Sequence, residues 1–238
     1  MTRHAEQAEV VAQAAPDVVA LQEVTAKTAP WWRDALAGAG LTHCAVTHAE
    51  KPRRLGVLTA AREPLRELPR PEGLPWPERV LCCALGDLEI VNVHSPISPS
   101  PDLAKVRTHE VLAAYLHGRR PAILCGDLNT PRRELPGGEI LTFAHDTKGR
   151  LREERGERWN LAERALVKDL GWVDAYRSLH GYGHRSASWT YAHDRGGWRL
   201  DHVLLNGPTP QEAEYMHDWR RAGLSDHSAL VVALRWAI

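Results

Sequence analysis

The sequence predicts an α/β protein with a mixed sheet flanked by helical layers. Apolar runs of strand length alternate with stretches of helical periodicity along its 238 residues. Two strand-like runs, ERVLCCAL and LEIVNVH, flank a Gly-Asp turn, which signals an antiparallel hairpin. Other strand runs are separated by helices, so crossovers and parallel pairs are expected as well.

The elements follow in order. Residues 3–14 read as a helix with Val10, Val11 and Ala14 on one side, ended by Pro16. The run Val18–Leu21 reads as a buried strand whose end carries Gln22 and Glu23. A second helix spans 28–39 and is stopped by Gly38 and Gly40. THCAVTH and RRLGVLTA read as strands. Pro64, Pro69, Pro71, Pro75 and Pro77 exclude a helix or a central strand over 62–77. After the hairpin, 101–117 reads as a helix with Pro101 near its start, and PAILCGDLN as an apolar strand ending in polar residues. Residues 144–158 read as a long exposed loop and 160–170 as a helix. ASWTY, WRLDHVLLN, AEYMHDW and ALVVALRW read as strands. No repeat, low-complexity tract or linker divides the chain, so residues 1–238 are expected to form one domain.

Composition excludes several classes. The chain is 43% hydrophobic and 25% charged, which argues against disorder and coiled coil. Thirty basic and thirty acidic residues cancel, so no strongly basic nucleic-acid binder is indicated, although a local basic face is compatible. No apolar stretch is long enough to span a bilayer, and MTRHAEQAEV lacks the apolar core of a secretory signal. Cys44, Cys82, Cys83 and Cys125 form no CxxC pair and read as free thiols, which fits a cytoplasmic location. Among the nine tryptophans, Trp31, Trp32 and Trp159 are candidates for exposure, while Trp172, Trp189, Trp198, Trp219 and Trp236 read as core. The charged run Lys148–Arg158 reads as a solvated face, with a grip on a nucleic-acid backbone as the rival.

Chemistry concentrates at strand ends. Glu23 follows VVAL, His94 follows IVNV, Asp127 and Asn129 follow AILCG, and Asp201 and His202 lie in RLDHVLL. Ser225-Asp226-His227 precedes the last strand. Carboxylates at buried strand ends are costly unless paired, metal-bound or solvated, so these ends are expected to converge. Oxygen-rich donors with few nitrogens suit Mg²⁺ or Mn²⁺, and the absence of thiolates argues against structural zinc. If RLDHVLL is a strand, His202 faces away from Asp201 and is structural. The remaining histidines, His109, His48 and His193 among them, read as ordinary surface or supporting residues.

LQEV (Leu21–Val24), NVHSP (Asn92–Pro96), GDLN (Gly126–Asn129), RLDHVL (Arg199–Leu204) and SDH (Ser225–His227) resemble, in order, the motifs of the endonuclease/exonuclease/phosphatase superfamily. The resemblance covers residues 17–232 and implies a four-layer α/β sandwich: two packed mixed sheets with helices outside. It implies metal-dependent phosphoester hydrolysis. In that light Glu23 is the Mg²⁺ ligand and Asp226 a further metal-site carboxylate. Asp127 orients or deprotonates the attacking water, Asn129 holds a phosphate oxygen, and Asp201 orients His227. His94 stands where the deoxyribonuclease and sphingomyelinase branches have a histidine. Pairing with Asp201 is expected to raise the pKa of His227 and make it an electrostatic clamp. Two departures accompany the resemblance. The family's usual first strand, with its asparagine, has no counterpart before the first helix. SWTYAHDRGGWRLD lacks the asparagine typical of the abasic-site branch, which disfavours specific abasic-site cleavage.

The implied function is a Mg²⁺-dependent phosphodiesterase acting on DNA. The alternatives are hydrolysis of small or lipid phosphoesters, or a catalytically weak module that binds nucleic acid or a partner. No P-loop, dinucleotide fingerprint, HExxH or Gly-x-Ser-x-Gly motif is present. One fold hosts many substrates, so the loops 62–77, 95–101 and 131–158 are expected to select among them.

Overall fold

A computed structural model describes residues 3–47, 54–191 and 196–236. The first half contains α1 (Arg3–Gln13), β1 (Val18–Val24), α2 (Ala29–Gly38), β2 (His43–Val46), β3 (Gly56–Ala61) and β4 (Leu65–Leu68). β5 (Val80–Leu85), β6 (Leu88–His94), α3 (Ala104–Leu116) and β7 (Ala122–Asp127) follow. Next come β8 (Arg133–Glu134), β9 (Ile140–Leu141), α4 (Gly156–Arg164), β10 (Val173–Asp174) and α5 (Ala175–His180). The chain then forms β11 (Trp189–Tyr191), β12 (Gly196–Trp198), β13 (Asp201–Asn206), β14 (Thr209–Met216), α6 (His217–Arg221) and β15 (Ala229–Arg235).

The central sheet has six strands in the order β10-β13-β7-β6-β5-β4, with β6 and β7 parallel and the other pairs antiparallel. Side-chain alternation gives it two apolar faces. Cys82, Val91, Val93, Leu124 and Leu204 pack on one face against Leu112 and Leu116 of α3 and against Leu166. Leu88, Ile90, Ile123, Cys125 and Leu205 pack on the other against Val18 and Ala20 of β1 and Leu230, Val232 and Leu234 of β15. β1 belongs to a second sheet, β1-β3-β2, whose outer face meets Trp32 and Leu36 of α2 and Val11 of α1. Helix, sheet, sheet and helix thus stack as the expected four-layer α/β sandwich. β1 and β15 cover the same sheet face but are not paired with each other, and no strand precedes β1 among the described residues.

The proline-rich 62–77 contains β4, an edge strand bracketed by Pro64 and Pro69, in keeping with the exclusion of a central strand there. Several other expectations need correction. AEYMHDW is strand only to Met216 and turns into α6. The loop at 144–158 is not wholly exposed: Ala144 is buried, and α4 begins at Gly156. Trp32 and Trp159 are buried rather than exposed; Trp159 donates Nε1 to Glu163 at 2.7 Å. Trp172, Trp189, Trp198, Trp219 and Trp236 are half-buried. The cysteines are free, and burial pushes Cys83 and Cys125 up to about 12. His48 and His193 lie outside the described residues. No described helix is long and apolar enough to cross a membrane.

Candidate active site

Strand pairing gathers the polar strand ends. β6 and β7 run parallel and finish side by side, with His94 opposite Asp127. β13 enters antiparallel, so Asp201 is also opposite Asp127. Gly126 makes the junction possible. Its φ is +119°, and a methyl there would run into the Val93 carbonyl oxygen. Beneath the site, Asn92 ties the two sheets together, donating to Leu58 O at 2.9 Å and accepting from Gln22 Nε2 at 2.8 Å.

Glu23 arrives from the second sheet. The β1–β3 register slips between Leu21 and Val24, and Glu23 has φ +60°. This bulge turns its carboxylate outward, with Oε1 3.8 Å from His94 Nε2. His94 Nε2 is also 3.8 Å from Asp127 Oδ2. Its buried Nδ1 has no hydrogen-bond partner among the described residues, and burial, reinforced by the Arg79 charge, lowers its pKa to about 3. The ring is therefore neutral at pH 7.

Asp127 is buried, and burial together with the Asp201 charge raises it to about 7. It accepts from Asn129 N at 2.8 Å and Asn129 Nδ2 at 3.0 Å. Asn129 Nδ2 also donates to Ser95 O at 2.8 Å. Both amide hydrogens are thus engaged, and Asn129, at φ +52°, holds Asp127 in this structure. His227 donates Nδ1 to Asp201 Oδ2 at 2.7 Å. Burial opposes its charge, but the Asp201 bond and carboxylate outweigh this and raise His227 to about 9. His202 is buried on the opposite side and donates Nε2 to Thr130 O at 2.7 Å.

Donor atoms of Asp127, Asp201 and His227 lie within 4.8 Å of one another. Glu23 and Asp226 are outside that group; Asp226 is exposed and adds its charge to the field at His227. Two facing carboxylates, one driven toward protonation by the other, form a donor set that a hard divalent cation fits.

Sequence reasoning missed several supporting groups. Arg79, just ahead of β5, feels the charges of Glu23 and Asp127 and brings a cation to the site. Its position before a strand paired with β6 was the only available signal. Fully buried Lys105 donates to Asn129 O at 2.6 Å and pairs with Glu163 at 2.7 Å. Glu163 also accepts from Thr130 Oγ1 and Phe143 N. His109, read as either a surface or a supporting residue, takes the supporting place: it is fully buried and bonded to Ser95 Oγ at 2.7 Å. This network props up the loop that carries Asn129. In the charged run, Arg150 pairs with Asp146, Arg152 with Glu154, and Arg158 with Glu110.

Comparison with known proteins gives the family and the fold. The sequence profile described as "Endonuclease/Exonuclease/phosphatase family" matches residues 2–227. An AP endonuclease from Archaeoglobus fulgidus superposes with a TM-score of 0.73 at 20% identity, covering 95% of this chain and 91% of that one. A 3′ phosphatase from Neisseria bound to product DNA hairpin gives 0.68 at 19% identity, covering 98% and 95%. A 3′-5′ exonuclease from Neisseria meningitidis gives 0.67 at 20%, covering 99% and 96%. At these identities the likeness is one of fold. No curated protein sequence matches the chain.

Proposed function

This chain belongs to the endonuclease/exonuclease/phosphatase family of phosphoesterases, and on that footing we propose that it is a divalent-metal-dependent phosphodiesterase that hydrolyses DNA. The observation that carries the reading is the convergence of Asp127, Asp201, His227, His94 and Glu23 at one end of the sandwich. The Neisseria 3′ phosphatase among the structural neighbours is bound to a product DNA hairpin, which supports the substrate.

Phosphodiester hydrolysis needs an in-line nucleophile and neutralised phosphate oxygens. Asp127, held by Asn129 and with a pKa of about 7, is suited to orient a water and take its proton. His227, positively charged and fixed by Asp201, clamps a phosphate oxygen. Neutral His94 donates a hydrogen bond to a second oxygen. Arg79 offsets charge on the same side as Glu23. Glu23 and Asp226, the carboxylates that the motifs assign, would hold Mg²⁺ or Mn²⁺ together with the Asp127–Asp201 carboxylate pair, while the protonated His227 stays off the metal. Such an ion, when bound, polarises the phosphate and offsets developing charge.

The test is cleavage of supercoiled and linear DNA with Mg²⁺, with Mn²⁺ and with EDTA. Nicking that EDTA stops and that Asp127→Asn lowers by at least about 100-fold is expected. Metal-independent cleavage, or an Asp127→Asn enzyme as fast as wild type, would refute the reading. Turnover confined to small phosphomonoesters would move the substrate away from DNA.

A further inference from the structure

Beside the catalytic centre lies an open cleft of about 610 Å³ between the segment 131–136 and the segment 182–187 with the β11–β12 hairpin. Its two walls are continuous with catalytic residues. One follows directly from Asn129 through Thr130. The other leads through Arg199 to Asp201, while Trp189 bridges to the backbone of His227. A polymeric substrate whose scissile phosphate lies over Asp127 and His227 would therefore extend into this cleft.

The cleft is strongly basic although the whole chain is neutral. Arg132, Arg133, Arg177, Arg185 and Arg199 line it. Against them stand Glu134 in the lining and Asp174 bonded to Arg199, so five positive charges face two negative ones, a balance of +3. The charges divide into two sets. Arg177 and Arg199 grip Glu134 with bonds of 2.5–3.1 Å and are buried, forming a rigid base. Arg132, Arg133 and Arg185 have no ion-pair partner among the described residues, and Arg133 and Arg185 are exposed. Arg133 directly precedes the clamped Glu134, so its backbone is fixed while its guanidinium faces solvent. Unpaired arginines on a fixed base beside a phosphoryl-transfer centre are suited to phosphate recognition.

We propose that this arginine cleft is a second phosphate subsite, in which Arg133 and Arg185 hold non-scissile phosphates of a nucleic-acid strand. The proposal rests on the DNA-phosphodiesterase reading for the direction of the strand; the cleft's affinity is tested apart from catalysis. Contacts of this kind act through counterion release and add affinity without base preference.

Binding of a fluorescent twelve-nucleotide DNA, single-stranded and duplex, to the full chain in EDTA separates the two readings. Anisotropy would be followed across a salt series for wild type, R133A, R185A and the double variant, with thermal melts to verify folding. The double variant is expected to bind about tenfold more weakly, with a salt-dependence slope smaller by about 1 to 2. Its kcat/KM on bis(p-nitrophenyl) phosphate, which has no second phosphate, is expected to match wild type. Unchanged DNA affinity and slope, no DNA binding by wild type, or an equal loss on the small diester would overturn the proposal. DNA binding that the double variant loses, in a protein that cleaves no DNA, would retain the subsite and refute the nuclease reading.

Discussion

At Asp127 stability and the proposed role oppose each other. Burial and the facing Asp201 raise its pKa from 3.8 to about 7. A raised acid pKa means that the folded state keeps a proton which the unfolded chain has released. The resulting stabilisation is complete below about pH 4 and is lost as pH rises through about 7. In EDTA, thermal melts of wild type are therefore expected to fall relative to those of Asp127→Asn between these limits. A constant difference would contradict the buried like-charge pair. The identities of Asp127, Asn129, Asp201 and His227 were legible because each lies in a short ordered motif. Their states were not, because a carboxylate's pKa depends on which charge faces it across the sheet. Arg79 had no motif at all, and it joins the site only because β5 pairs with β6.

The same division holds among the elements. β5, β6 and β7 could be read from their apolar runs, since all three are buried on both faces and flanked by turns or prolines. The bulge in β1 that aims Glu23 could not, because a bulge is defined by the partner strand. At the end of β7, Gly126→Ala would push a methyl into the neighbouring strand at a left-handed backbone position. We expect it to lower stability by more than about 1 kcal/mol and to abolish turnover, measured by urea denaturation and assay. β8, β10 and the approach to β13 are joined by the buried cluster of Glu134, Arg177, Arg199 and Asp174. Against its burial, the arginines hold Glu134 at about 2, below its ordinary 4.5. A depressed acid contributes stability above its unfolded pKa, lost as pH falls through 4.5 toward 2. Glu134→Gln is expected to destabilise by about 3–5 kcal/mol at pH 7, since it strands buried charge. The gap to wild type should narrow in melts taken from pH 5 down to 2.5; a gap independent of pH would count against this account.

Across the whole molecule, the two apolar faces of the central sheet join the four layers. Leu124 is fully buried between that sheet and α3, so Leu124→Ala is expected to cost about 2–5 kcal/mol in chemical denaturation. A loss under about 1 kcal/mol would mean that the layer collapses around the cavity. What the sequence by itself determined was the class of fold, the order of strands and helices, and the residue types at the strand ends, because periodicity and short motifs are local properties. Tertiary structure alone decided that Trp32 and Trp159 are buried, that Glu23 meets His94, and that Arg177 and Arg199 reach Glu134 across 43 and 65 residues. It also collected five arginines, three of them without an ion-pair partner among the described residues, into one basic cleft on a chain with no net charge. The physical reason is common to all of these. Burial, electrostatic shifts and side-chain convergence depend on which distant segments pack together, and that information resides in the pairing of strands and layers rather than in any window of sequence.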